Sequence, residues 1–172
     1  MELIHIETDA SVKPVQQKQR RITLQYRQLF KDHLSELKAE GTVDGPLQSK
    51  SAKSGISNPV IMHKNYSDNK IRVTLDTRLM AAAIKNSYFP IPTATELRHE
   101  FHGSDRFSIV DLNHAFHQFE ITDDSKDLYC FWTPWGLYRF NTLVMGVSSV
   151  SVECHERIHL IVEGLEGVIQ IL

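Results

Sequence analysis

Phe107-Ser-Ile-Val-Asp-Leu-Asn-His-Ala-Phe-His-Gln118 is the stretch on which the reading of this chain turns. Phe107, Ile109 and Asp111 alternate with Val110 and Leu112, so the segment is expected to open as a short strand with two distinct faces. It then turns into a helical segment carrying Ala115 and Phe116. One carboxylate, Asp111, is left at the end of a largely apolar strand, where a bare charge is costly unless it is paired, hydrogen-bonded or bound to a metal. A strand-end Asp that caps the next helix is the commonplace explanation; a metal ligand is the sharper one. His114 and His117 read as surface or partly buried histidines beside it rather than as further ligands.

The 172 residues around this stretch are 41% hydrophobic and 23% charged, which suits one globular domain or two subdomains sharing a core and argues against wholesale disorder. No apolar run approaches a membrane span. The N-terminus has neither a basic region nor an apolar core of the secretory kind. Cys130 and Cys154 have no metal-like spacing, so an intracellular location, cytoplasmic or nuclear, is expected. The net charge of −2 excludes a uniformly basic nucleic-acid binder, yet the segment Lys13–Lys31 holds six basic residues and no acid. Such an arm could follow a phosphate backbone or simply be solvated.

Upstream, residues 1–22 are expected to form an extended basic arm. Thr23 should cap a helix running to Glu40, with Tyr26, Leu29, Phe30, Leu34 and Leu37 as its apolar stripe and Gly41 as its stop. Residues 44–58 read as a loop. Pro59–Lys64 and Ile71–Leu75 read as the arms of a hairpin that carries Lys64 and Arg72. Thr93-Ala-Thr-Glu96 has the pattern of a capping box. Downstream, Leu128–Trp132 and Leu137–Phe140 pair across Thr133-Pro-Trp-Gly136. Ser148–Glu163 reads as a helix with Val152, Ile158, Ile161 and Val162 apolar, and Val168–Leu172 as a buried strand.

Taken in order, these pieces resemble the reverse transcriptase of gypsy-type LTR retrotransposons over residues 12–172. Lys13-Pro-Val with Arg20-Arg-Ile is similar to the segment ahead of the polymerase fingers. Asn58-Pro-Val-Ile-Met-His-Lys64 and Arg72-Val-Thr-Leu-Asp-Thr-Arg78 resemble the two fingers strands. Tyr88-Phe-Pro-Ile-Pro92 resembles the entry to the palm, and Phe107–Gln118 the first catalytic motif. Thr133–Phe140 followed by Met145-Gly resembles the return from fingers to palm.

The resemblance implies an α+β fold with antiparallel sheets, lacking thumb, connection and RNase H regions. It implies a basic arm at 1–22, fingers at 23–86 and 119–147, and a partial palm at 87–118 and 148–172. It implies RNA-directed DNA synthesis, in which hard cations such as Mg²⁺ are held by carboxylates and act on a primer 3′-hydroxyl and a triphosphate. Asp111 would be the catalytic, metal-binding carboxylate. Lys64, Arg72, Leu112, Phe116 and Met145 would contact the incoming nucleotide, Phe116 as the block to a 2′-hydroxyl. Lys18, Arg20, Arg21 and Arg78 would meet the RNA or DNA primer–template.

Two departures accompany the resemblance. The family's remaining two aspartates follow the strand that Val168–Leu172 matches, so the chain is expected to stop before them and to be inactive alone. Val144, Val150, Ser151 and Cys154 also differ from the family pattern. Two other readings remain: a co-opted, non-enzymatic nucleic-acid-binding fragment, and a zinc hydrolase built on His155-Glu156-Arg-Ile-His159. The latter has both histidines on one helical face and Glu156 as general base, but Val162 stands where the longer pattern needs glycine. A palm sheet without its central hairpin would leave strand edges exposed to self-association.

Overall fold

The computed structural model describes residues 2–13, 15–48, 57–64, 71–85, 87–90 and 92–170. Helix α1, Leu24–Ala39, begins behind Thr23 as the stripe requires. It buries Phe30, Leu34 and Leu37, with Tyr26 and Leu29 packed beside them. Gly41 turns the chain at φ +75, where side chains are disfavoured. The chain then enters β1, Val43–Leu47, all but its first residue lying in the span 44–58 read as a loop. Its Gly45 and Pro46 are poor strand formers, but a neighbouring strand overrides that preference. β1 pairs antiparallel with β5, Gly136–Phe140. β5 pairs antiparallel with β4, Cys130–Thr133, through Cys130↔Arg139 to Thr133↔Gly136. The sheet order is therefore β1-β5-β4.

The expected hairpin is present as β2, Val60–Lys64, against β3, Ile71–Leu75, from Val60↔Leu75 to Lys64↔Ile71. Its turn, 65–70, lies outside the described residues. Asn58 joins this hairpin to the three-stranded sheet. Its backbone N–H donates to Cys130 O at 2.9 Å, and its side-chain amide donates to Leu128 O at 2.8 Å and Cys130 O at 3.2 Å. A short helix α2, Arg78–Ala81, follows β3. The capping box is formed as read: Thr93 and Glu96 exchange hydrogen bonds at the head of α3, Ala94–Glu100. Another short helix, α4, covers Asp123–Lys126, and α5 covers Ser148–Val162.

The N-terminal arm is extended but is more than a polar tail. Ile4 and Ile6 are buried, and Ile4 bridges to Ile121, Thr8 to Ile84 and Gln16 to Ser57. Their isolated apolar positions carry no periodicity long enough to mark a strand.

Three expectations are corrected. Phe107–Leu112 is extended but belongs to no ladder, and Ile109 and Val110 are 95% and 86% exposed. Val168–Gln170 is likewise not a strand, and Val168 is exposed; Ile171 and Leu172 lie outside the described residues. The sheet expected in the palm is thus not formed among the described residues, because an extended segment becomes a strand only against a hydrogen-bonding partner. The inward face of α5 is Val150, Cys154 and His155, whereas Ile161 is exposed. No helix among the described residues is long and apolar enough to cross a membrane.

Candidate functional site

A cleft of about 1100 Å³ opens between the β2–β3 hairpin, α1 and the segment after Asp111. β3 alternates faces: Ile71 and Leu75 go into the core, and Arg72 points out to the cleft. The return from β5 brings Met145 to the same place, where Arg72 Nη2 approaches Met145 Sδ at 3.3 Å. That return is anchored by Thr77 Oγ1, which donates to Gly146 O at 2.8 Å. A side chain at Gly146 would stand 3.1 Å from that hydroxyl, and its φ of +115 suits glycine alone.

The opposite wall is the continuation of the opening stretch. His114, at φ 50, redirects the chain into a single 3-10 turn, Ala115–Gln118, which is the helical segment expected to carry Ala115 and Phe116. Gln118 Nε2 donates back to Asn113 O at 2.8 Å and closes the turn. The chain then re-enters the core: Leu143 N–H donates to Phe119 O at 3.0 Å and Ile121 N–H to Asn141 O at 3.1 Å. The His117 ring lies flat on Phe140, with centroids 5.9 Å apart and planes at 6°. Its Nδ1 meets Thr142 Oγ1 at 3.2 Å.

Asp111, Leu112, Phe116, Arg72 and Met145 therefore line one cleft, although they are scattered over 74 positions of sequence. Phe116 is half-buried, while Asp111 and Arg72 are exposed. Lys64 stands one register position from this group, its backbone opposite Ile71; its side chain lies outside what is described. Sequence reasoning missed the third wall. Asp32 and Glu36 of α1 and Glu40 at its C-cap face the cleft, and their four-residue spacing was the available signal.

The basic residues assigned to a template fall into two groups. Lys18 and Arg21 are exposed. Arg20 and Arg78 both bind the buried carboxylate of Asp76, Arg78 through Nε and Nη2 at 2.8 and 2.7 Å. The Arg78 fork, outweighing the cost of burial, holds the Asp76 carboxyl down at about 2. These two arginines fasten the arm and α2 to the end of β3.

Among the described residues no group of three or more His, Cys, Asp or Glu side chains is placed to hold a metal ion. Asp111 alone does not supply the donor set that a hard divalent cation requires, so Mg²⁺ does not fit the described residues. The His155–His159 pair meets an aromatic ring instead: Phe89 lies 5.6 Å from one imidazole and 5.3 Å from the other. Burial lowers the His155 pKa, and His159 adds to the effect.

No family model matches the chain. In sequence it is 31% identical over 83 residues, 48% of its length, to the retrovirus-related Pol polyprotein from transposon 412 of Drosophila melanogaster. It is 26% identical over 112 residues, 64% of its length, to the uncharacterized protein K02A2.6 of Caenorhabditis elegans. These matches span 7% and 9% of the two relatives. In fold, 99% of the chain superposes on prototype foamy virus protease–reverse transcriptase with a TM-score of 0.80, at 18% identity and over 22% of that chain. The foamy viral protease–reverse transcriptase in complex with double-stranded DNA gives 0.74 at 16% identity, over 99% of this chain and 28% of that one. The chain is therefore similar to a piece of a Pol polyprotein, and its mixed helix and antiparallel-sheet fold is that of part of a protease–reverse transcriptase.

Proposed function

We propose that the chain is the nucleotide- and template-holding part of a gypsy-type reverse transcriptase. On this reading residues 23–86 and 119–147 are fingers, and 87–118 and 148–172 part of the palm. The observation that carries this reading is the convergence of Arg72, Met145, Leu112, Phe116 and Asp111 on one cleft. Arg72 offers a fixed charge to a triphosphate. Phe116 and the backbone beside Leu112 offer a floor for the sugar. The exposed Lys18 and Arg21, with Arg20, offer charge to the backbone of an RNA or DNA primer–template. The solved relative held on double-stranded DNA supports a nucleic-acid partner.

A second reading, non-enzymatic nucleic-acid binding, needs no metal site and rests on the exposed Lys18 and Arg21. Both readings predict nucleic-acid binding, and they part over the cleft: only the first predicts that a dNTP binds there and that Arg72→Ala weakens it. The test is binding of a labelled RNA–DNA hybrid by the 172-residue protein over a salt series. Affinity should fall steeply with salt, and neutralising Lys18 and Arg21, which leaves the Arg20–Asp76 pair intact, should flatten the slope by about 2. A slope unchanged by the double substitution would overturn the assignment of the arm. Metal-dependent extension of the primer would overturn the non-enzymatic reading.

A further inference from the structure

We propose that His117 is a positioning residue that holds Phe116 at the cleft floor while neutral and releases it when protonated. The proposal rests on the nucleotide reading of the cleft for its consequence, but on geometry for its cause. His117 is the only member of the 3-10 turn tied to the sheet by both a stacked ring and a polar side-chain contact among the described residues. One ring face lies on Phe140, and the His114 ring stacks near it at 6.2 Å and 24°. Phe116 precedes it in a turn too short to have independent freedom.

A neutral imidazole suits that environment: an apolar ring beneath, one nitrogen on a hydroxyl, and a half-buried position. An imidazolium there loses hydration and meets a second histidine. The groups that act on His117 are His33 of α1, Glu40 at the α1 C-cap, His114 at the head of its own turn and the Leu143 backbone. Burial is the largest influence and favours the neutral ring; His114 and His33 act in the same direction, while the Leu143 backbone and Glu40 oppose them. Acidification therefore works against the stacked position, and leaving it would carry Phe116 with the turn. The cleft would then lose the shape that separates a deoxyribose from a ribose.

The test uses the full chain and needs no ligand for its first half. With labelled histidine and phenylalanine, NMR over about pH 8 to about pH 5 should show the Phe116 ring moving with the midpoint of His117. An asparagine amide can occupy the place of Nδ1 without titrating, so in His117→Asn the Phe116 signal should stay flat at its high-pH position. In His117→Ala it should be flat and displaced. In the second half, the ratio of dCTP to CTP affinity should fall on acidification, with the same midpoint as the Phe116 signal. The ratio should be constant and high in the Asn variant and low throughout in the Ala variant. A Phe116 signal indifferent to His117 titration would overturn the proposal, as would an Asn variant that melts like wild type yet has lost the Phe116 position. Coupling of Phe116 to His117 without binding of either nucleotide would support the positioning role and reject the nucleotide reading.

Discussion

Arg72 and Met145 meet at 3.3 Å across 73 positions of sequence, the guanidinium of the β2–β3 hairpin resting on the thioether of the return from β5. A sulfur is a weak acceptor, so the contact orients Arg72 without satisfying it and leaves its other donors to the cleft. Arg72→Ala should weaken triphosphate binding by about 1.5–3 kcal/mol, the worth of a charged hydrogen bond. Met145→Ala should cost less than about 1 kcal/mol, because only orientation is lost. Calorimetric titration with dCTP measures both, and an equal loss would show that the sulfur does more than orient.

Asp76 is the second fastening. Its carboxyl is held at about 2 against an ordinary 3.8, first by the Arg78 hydrogen bond. Because the folded value is the lower one, the stability it adds is present above about pH 4 and lost as pH falls through about 2. Asp76→Asn should cost about 2 kcal/mol at neutral pH, measured by urea unfolding, and should flatten the acid limb of the stability curve.

His155 works in the opposite part of the pH range. It is 2% exposed, its Nδ1 has no partner among the described residues, and burial lowers its pKa from 6.5. The folded state favours the neutral ring, so its contribution is present above about pH 6.5 and lost as pH falls. Thermal melts of wild type should drop between about pH 7 and about pH 5, and His155→Leu should reduce that drop.

Two glycines separate conformation from space. Gly41 and Gly45 both have positive φ, but a side chain at Gly41 meets nothing within 4 Å, whereas at Gly45 it would overlap the Tyr138 ring. Gly41→Ala should cost about 1 kcal/mol for backbone strain alone. Gly45→Ala should cost about 2–4 kcal/mol, strain and overpacking together. Denaturant midpoints of the two variants decide it.

What was legible in the sequence is what local chemistry determines. The Thr93 capping box and the β2–β3 and β4–β5 hairpins have their partners close in sequence, and the α1 stripe shows as helical periodicity whatever it packs against; each is formed. The composition of the cleft was legible only through resemblance, since Arg72, Phe116 and Met145 share no local pattern. β1 was hidden by Gly45 and Pro46, and Ile4 by its isolation in a polar arm. Phe107–Leu112 erred the other way: its alternation is that of a strand, but pattern cannot supply a partner.

That segment has a direct signature. No backbone hydrogen bond involves residues 105–112 among the described residues. Their amides should exchange without protection, while those of β4 and β5 should be protected by orders of magnitude. Protection across 107–112 in the isolated protein would show that the segment finds a partner, in this chain or in a second copy.

The central claim is that the cleft between Arg72 and Phe116 receives a nucleoside triphosphate. Photolabelling of the 172-residue protein with an azido-substituted deoxynucleoside triphosphate, followed by peptide mapping, tests it most directly. The account predicts label on the peptides carrying Arg72, Leu112–Phe116 and Met145, competed by unmodified dNTP and lost in Arg72→Ala. Label that falls elsewhere, or that survives both competition and the substitution, would contradict it.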